Sequence, residues 1–369
     1  MKNLSLFNKF FFLLNILAAA TLLLSYLAYY VSPELFFPLA FFSLAAPLLY
    51  LINLLFVLFW MIQAKKQILL SLLALLLGWN YINRTITFNF NDPSPESSDT
   101  STVFKLLSYN VRYFDVYDWI DKSTTKEKIF DLIKEEKPDL VCFQEYYHSS
   151  GKDSYLTEKE TMENTNASFA HIEDMGTFSK NEKCGIATFS KFPIINKGKI
   201  SFGVKENNVC IFSDILVNKD TIRVYNIHMA SIAFAPKDYK FIDDIAQNKE
   251  TNEVEGSKGI LKRLKRAFIK RTRQSEIVAE HLEACPYKVI ICGDFNDTPS
   301  SYAYKTVAKN LSDAFTQAGI GLGKSYIGKF PSFRIDYILH SKELKPYEFI
   351  THSEKLSDHR AISCLFEVN

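Results

Sequence analysis

The sequence predicts an α/β protein of stacked sheets, preceded by an apolar N-terminal bundle of about three membrane-spanning helices. Three observations lead there. The stretch Met1–Ile82 carries only five charged side chains. After it, short runs rich in β-branched and aromatic residues recur, and between these runs lie a few clear helical patterns.

In the apolar region the charged residues are Lys2, Lys9, Glu34, Lys65 and Lys66, a net +3. Phe10–Val31 is an uncharged run long enough to cross a bilayer's hydrocarbon core, for which about 20 apolar residues suffice. A signal peptide has a shorter apolar core followed by a small-residue cleavage site, whereas Tyr29-Tyr30-Val31 leads into a second apolar run, so a retained anchor is expected. Leu35–Met61 is the second span, with Pro47 inside it as a potential kink. Ile68–Ile82 is a third, short for a full crossing. Lysines before span one and between spans two and three, with none in Ser32-Pro33-Glu34, place the N-terminus in the cytoplasm and everything after span three outside it. The compartment therefore depends on the third span. Tyr29, Tyr30, Trp60, Trp79 and Tyr81 fall near the predicted interfaces.

Residues 83–102 read as a linker because Asn91–Asp99 is polar and contains prolines. The domain from 103 to 369 follows. From residue 83 onward the chain holds 39 of the 43 basic and 40 of the 41 acidic residues, a near-neutral balance that argues against general nucleic-acid coating. The six cysteines form no C-x-x-C or zinc-spaced cluster, and Cys142, Cys292 and Cys364 read as small core residues. Strands are expected at Phe104–Tyr109, Leu140–Phe143, Gly185–Phe189, Val209–Val217, Thr221–Ile227, Lys288–Cys292, Arg334–Leu339 and Ala361–Val368. Helices are expected at Thr125–Glu136, capped by Ser123 or Thr124 and stopped before Pro138, and at Lys258–Ala284.

The polar residues of interest gather at strand ends. Gly293-Asp294-Phe295-Asn296 should set Asp294 and Asn296 on one side and Phe295 in the core, a pair that orients a water or simply caps a turn. Glu145 leaves the apolar run Leu140–Phe143, and a carboxylate at a buried strand end needs a partner, either a divalent cation or a basic side chain. His228 and His359 suit acid-base or charge-stabilising work with Asp336 fixing a tautomer; the alternative is a pair of hydrogen-bonded structural histidines. The other five histidines read as surface or structural.

In order along the chain come Ser108-Tyr109-Asn110-Val111-Arg112, Pro138-Asp139-Leu140 with Gln144-Glu145, Ser190-Lys191-Phe192-Pro193-Ile194, Asn226-Ile227-His228, Gly293-Asp294-Phe295-Asn296, Arg334-Ile335-Asp336-Tyr337-Ile338-Leu339 and Ser357-Asp358-His359-Arg360. Together they resemble the endonuclease/exonuclease/phosphatase superfamily over nearly all of residues 104–369. The resemblance implies a four-layered α-β-β-α sandwich of two mixed sheets and a metal-dependent phosphoester hydrolase. It implies Glu145 as principal metal ligand with Asn110 and Asp358, and His228, Asp294, Asn296, Asp336 and His359 as the catalytic group. Asn110, Arg112, Asn296 and His228 would contact substrate. Oxygen-rich ligation suits Mg2+ or Mn2+ better than zinc. Tyr146-Tyr147 stand where the abasic-site branch usually has Thr-Lys, which disfavours DNA repair.

A helix carrying Lys258, Lys262, Arg263, Lys265, Arg266, Lys270, Arg271 and Arg273 holds no acid between the first and last of them, with Leu261, Leu264 and Phe268 at helical spacing. It fits anionic headgroups, substrate phosphates or a solvated face paired with upstream acids. The expected substrate is a phosphoester, whether lipid headgroup, small molecule or nucleic acid, with membrane lipid around the anchor and no obligate protein partner. A nuclease and a catalytically silent tethered module are the competing readings.

Overall fold

The computed structural model describes residues 4–90, 95, 102–151, 154–203, 208–247, 253–328 and 333–368. Five helices open the described chain: α1 (Leu6–Ala28), α2 (Pro33–Phe36), α3 (Leu39–Ile62), α4 (Ile68–Leu77) and α5 (Trp79–Asn83). Helices α1 and α3, of 23 and 24 residues, are long and apolar enough to cross a membrane. The expected third span does not form as one helix. Its shorter α4 breaks at Gly78, where a Cβ would sit 1.9 Å from the Tyr26 hydroxyl oxygen.

The shorter α4 and α5 nonetheless carry the chain back along α1 and α3. Asn8 pairs with Gln63, and Phe11 stacks on Phe59, at one end. At the other, Tyr26 and Tyr29 pack on Tyr81 after α4 and α5 have carried the chain back. The bundle interior packs small, aliphatic and aromatic side chains, among them Ala19, Leu22, Ala46, Ala74, Tyr26 and Tyr50, around a few bonded polar groups. Trp60 Nε1 donates to Asn15 Oδ1 at 2.9 Å, Ser71 Oγ donates to Asn53 Oδ1 at 2.8 Å, and Asn53 Nδ2 reaches the Ala18 carbonyl at 3.0 Å. Leucines such as Leu13, Leu51, Leu55, Leu73 and Leu77 face outward instead. Interhelical hydrogen bonds inside and aliphatic side chains outside are the arrangement that lipid solvent favours.

The expected linker starts later than residue 83. Thr87–Phe88 (β1) pairs with Ile320–Gly321, and Thr87 Oγ1 and Asn89 Nδ2 donate to the Gly319 carbonyl. The rest of that stretch up to residue 101, Pro95 excepted, lies outside the described residues.

The strands that follow are β2 (Thr102–Asn110), β3 (Leu140–Ser149), β4 (Phe169–Ser179), β5 (Glu182–Ser190), β6 (Ile194–Ser201), β7 (Val209–Val217), β8 (Asp220–His228), β9 (Lys288–Asp294), β10 (Ser312–Asp313), β11 (Ile320–Gly321), β12 (Asp336–His340), β13 (Leu344–Thr351) and β14 (Ile362–Val368). The helices among the described residues that join them are α6 (Thr125–Glu136), α7 (Glu158–Thr165), α8 (Pro236–Ala246), α9 (Glu253–Glu283), α10 (Tyr302–Val307) and α11 (Ala314–Ala318). One six-stranded sheet has the order β13-β14-β2-β3-β5-β4 and the other β10-β12-β9-β8-β7-β6. Each is mixed, with its parallel pair at the centre, β2 with β3 and β8 with β9.

Alternation builds the layers. Phe104, Leu106 and Cys142 meet Val224, Ile290 and Cys292 between the sheets. Their neighbours Leu107, Tyr109, Val141 and Phe143 face Ile129, Phe130 and Ile133 of α6, while Tyr225, Ile227 and Ile291 face Val278 of α9 and Tyr304 of α10. Strands β4, β6 and β13 are absent from the sequence expectation, and all three lie at sheet edges. An edge strand is only half covered and needs no apolar alternation. The six cysteines are free thiols.

Candidate active site

The parallel strands β2, β3, β8 and β9 end on one side of the domain. Antiparallel β12 and β14 begin there, so Asp336 opens β12 and His359 precedes β14 on the side where the parallel strands end. Register fixes the meeting: Asp294 lies opposite both His228 and Asp336, and Asn110 opposite Gln144.

Local backbone aims each group. Glu145 sits at a register break in β3 with φ of 50°, turning its carboxylate from the sheet into the cleft. Gly293 has φ of 131°, and a Cβ there would come 2.1 Å from the Ile227 carbonyl oxygen, so glycine alone lets Asp294 approach β8. Phe295 is fully buried, as its position in the motif required. After β2 the backbone runs left-handed from Arg112 to Asp115. Asp115 holds that turn by accepting the N–H groups of Trp119, Ile120 and Asp121. The Arg112 guanidinium then lies 4.1 Å over the Trp119 ring, with its Nε 3.6 Å from Asp358.

The Asp294 carboxylate is the hub. Its oxygens accept Asn296 N at 2.8 Å, Asn296 Nδ2 at 3.0 Å and Asn110 Nδ2 at 3.1 Å. Both imidazoles stand 3.7 Å away, at His228 Nε2 and His359 Nε2. His359 Nδ1 pairs with Asp336 at 2.9 Å, while the ring nitrogens of His228 have no hydrogen-bond partner among the described residues. Glu145 completes the floor, 3.8 Å from His228 Nε2 and 3.4 Å from Asn110 Nδ2.

Burial, reinforced by Asp358, pushes the Glu145 carboxyl up to about 7. Burial and the nearby Asp336 likewise raise Asp294 to about 7, against the pull of His359. Burial, helped by His359, lowers His228 to about 4, so it is neutral. For His359 burial works downward, yet Asp336 and Asp294 outweigh it and hold the imidazole well above its usual value.

Every predicted site residue therefore reaches one cleft. The tightest convergence of possible metal-binding atoms among the described residues is Asp294, Asp336 and His359, within 4.8 Å of one another. That is not the set the resemblance implied. Asn110 gives its N–H group to the carboxylates and its oxygen to Arg112 N at 3.1 Å, so as oriented it is a donor beside Glu145, not an oxygen ligand.

Sequence reasoning missed the supports. Gln144 Nε2 donates to Asn226 Oδ1 at 2.7 Å, and Asn226 Nδ2 donates to the Ala187 carbonyl at 2.9 Å, tying the two sheets together beneath the site. Both amides interrupt apolar strands, which was the available signal. Arg271, taken for part of a basic face, is buried against Asp297 at 2.9 Å. Its spacing from Leu264 and Phe268 marks the inward face. The remaining five histidines are held in structural contacts, His148 by Asp174, His171 by Ser213, His281 by Tyr225, His340 by the Ser341 carbonyl and His352 by Ser363.

The candidate pocket is about 290 Å³ and includes Glu145, Asp294, Asn296, Asp358, His359 and, from α3, Leu44. A second cavity of about 540 Å³ shares Tyr113 and Glu145 with it and is walled by Arg263, Arg266 and Lys270 of α9. A separate hollow of about 260 Å³ beside α10 holds none of the site residues.

Residues 107–359 match the Endonuclease/Exonuclease/phosphatase family. The chain belongs to this family. Its members are typically phosphoester hydrolases and generally use divalent metal ions. Residues 8–85 match a domain of unknown function, DUF8431. A search of curated proteins gives no match. Among solved structures, a family protein from Bacteroides thetaiotaomicron aligns at 14% identity and TM-score 0.52, over 74% of this chain and 97% of that one. A mannosyl-6-phosphatase from the same organism aligns at 16% identity and TM-score 0.50, over 71% and 99%. The human Nocturnin catalytic domain with bound sulfate aligns at 17% identity and TM-score 0.50, over 72% and 94%. At such identities the likeness is one of fold, and the family's mixed-sheet architecture is the one seen here.

Proposed function

We propose that the protein is a membrane-anchored, divalent-metal-dependent phosphoester hydrolase acting on the extracytoplasmic side. The convergence of Glu145, His228 and the Asp336–His359 pair around the Asp294 carboxylate carries the reading.

The donor set fits a hard cation. Glu145, Asp294 and Asp358 stand near one another, offset by Arg112 at 3.6 Å from Asp358 and by the His359 imidazole at 3.7 Å from Asp294. Carboxylates forced up to about 7 by burial and mutual charge recover their ionised form when a cation joins them. Glu145 and Asp358, with Asn110 beside them, would hold Mg2+ or Mn2+, which supplies charge neutralisation at the phosphoryl oxygens. Asp294, oriented by Asn296 and Asn110, takes the proton of the attacking water. Neutral His228, with both ring nitrogens unpartnered, gives a hydrogen bond to a phosphoryl oxygen. His359, kept protonated by Asp336, stabilises the developing charge and protonates the leaving oxygen. Arg112 steadies the substrate at the rim.

The membrane reading is supported by two long apolar helices with exposed leucines outside and interhelical hydrogen bonds of Asn15, Asn53, Trp60 and Ser71 inside. Lys9, Lys65 and Lys66 lie at the end away from the domain, and three crossings then put the domain on the opposite side from them. A reporter fused near Pro95 that works only in the cytoplasm, if active, would overturn that orientation.

The enzymatic reading is tested with the full chain in detergent against phosphomonoesters and phosphodiesters, with Mg2+ or chelator. Metal-dependent turnover abolished by Glu145→Ala and His359→Ala is expected. Turnover unchanged by both substitutions would sink the mechanism.

A further inference from the structure

The pocket adjoins an apolar groove of the helical bundle. Leu44 of α3 lines the pocket, and Leu48, Leu51 and Leu54 continue the same helical face down the bundle. There they form one wall of an apolar groove of about 730 Å³, whose other wall is Leu72 and Leu76 of α4. Pocket and groove share two residues, Thr298 and Phe333, so they meet at a common threshold. The threshold is pinned to the helix: Thr298 Oγ1 donates to the Ser43 carbonyl at 3.3 Å, and the Ser300 hydroxyl meets Tyr50 at 3.3 Å. From Leu44 to Leu54 the helix rises about 15 Å, the depth of one leaflet's hydrocarbon. Exposed Lys324 stands at the groove's polar end.

We infer that the substrate is a membrane lipid bearing a phosphoester, with one hydrocarbon chain in the α3–α4 groove and its headgroup drawn past Thr298 and Phe333 into the catalytic pocket. The inference rests on the phosphoester-hydrolase reading and names its substrate class. A soluble phosphate ester has no use for an aliphatic channel one leaflet deep that opens at the reacting centre, whereas a lipid in the adjoining leaflet enters it without leaving the hydrocarbon. The polar remainder of the headgroup then faces the second cavity, where exposed Arg266 of α9 meets negative charge beside Arg263, itself paired with Asp238 at 2.7 Å. In the reaction the oxygen of water bonds to phosphorus, the ester P–O bond breaks, and the proton of that water ends on the leaving oxygen.

The test uses the full chain reconstituted in phosphatidylethanolamine vesicles doped with phosphatidic acid, phosphatidylglycerol or a polyprenyl diphosphate. Bis-p-nitrophenyl phosphate and p-nitrophenyl phosphate serve as soluble controls. Leu51→Trp and Leu54→Trp fill the groove without touching the catalytic residues. The expected result is turnover of at least one lipid, reduced tenfold or more by either substitution, with the soluble esters hydrolysed as before. Equal loss on lipid and soluble ester, or soluble-ester turnover with none on any lipid, overturns the inference while leaving the hydrolase standing. Preferred turnover of DNA or sugar phosphate, indifferent to the groove, overturns it too. A wild-type dimer that groove filling dissociates makes the groove a subunit interface and likewise overturns it. No turnover of any ester, soluble or lipid, defeats both readings together.

Discussion

Replacing Glu145 by glutamine should stabilise the metal-free protein increasingly from about pH 4.5 to 7, and fully above that. The carboxyl is raised from its usual 4.5 to about 7, chiefly by burial. At ~1.4 kcal/mol per unit this disfavours the ionised folded state by roughly 3 kcal/mol. The side chain keeps 23% of its surface open to the cleft, and solvent there reduces the figure to about 2 kcal/mol. The folded protein holds this proton up to about pH 7, while the unfolded chain releases it nearer 4.5, so folding binds the extra proton between those values. Stability therefore falls as pH rises across the window and the deficit is complete above it. Glutamine carries no charge and escapes the deficit. For a domain of this size about 2 kcal/mol corresponds to roughly 4–8 °C in Tm. Differential scanning fluorimetry in detergent with chelator should show Glu145→Gln unfolding that much higher than wild type at pH 8.5, and level with it below pH 5. Adding Mg2+ should reverse the order at pH 8.5, because only the carboxylate gains a counter-ion. A variant destabilised equally at both pH values, or stabilised by Mg2+ as much as wild type, would refute the reasoning.

The same charges set the pH dependence of turnover. With Asp294 as base, kcat/KM in Mg2+ rises with pH as its carboxyl ionises and falls once His359 loses its proton; Asp336→Asn should move the alkaline limb to lower pH, and an unmoved limb would remove Asp336 from its role. Isothermal titration of Mg2+ at pH 7 in buffers of different ionisation enthalpy should show proton release, since Glu145 and Asp294 sit near half-ionisation there; identical heats would mean that neither group joins the metal. Arg271→Ala leaves Asp297 buried without its partner, at a cost of about 3–5 kcal/mol, while Arg266→Ala on the exposed face should stay within ~0.5 kcal/mol by urea unfolding. Comparable losses for the two would show that burial does not separate them.

Much of this was readable in advance because it is written in short-range pattern. The central strands announce themselves by continuous apolar runs, since both their faces are covered, and the ends of those runs named Asn110, Glu145, His228 and Asp294. The edge strands do not, because a half-covered strand such as β4 can be polar along its length without cost. The supports of the site escaped for a different reason. Arg271 and Asp297 lie far apart in the chain, and each is ordinary until the fold buries them together. Asn110 could be placed but not assigned, because whether an amide offers nitrogen or oxygen is decided by neighbours such as Glu145 on β3 and Asp294 on β9 of the facing sheet.

Gly78 shows how far a local rule can mislead about a global one. The run Ile68–Ile82 looks too short for a span, and as a single helix it fails, since the chain breaks where Tyr26 needs room. Yet Ser71 is bound to Asn15 and Asn53 inside the bundle, and Tyr81 is stacked on Tyr26. These contacts return the chain to the domain side whether or not its helix is continuous. Past the break, Trp79 and Ile82 join Leu72 and Leu76 of α4 in lining the groove that runs along α3, so the residues on both sides of Gly78 serve one apolar surface.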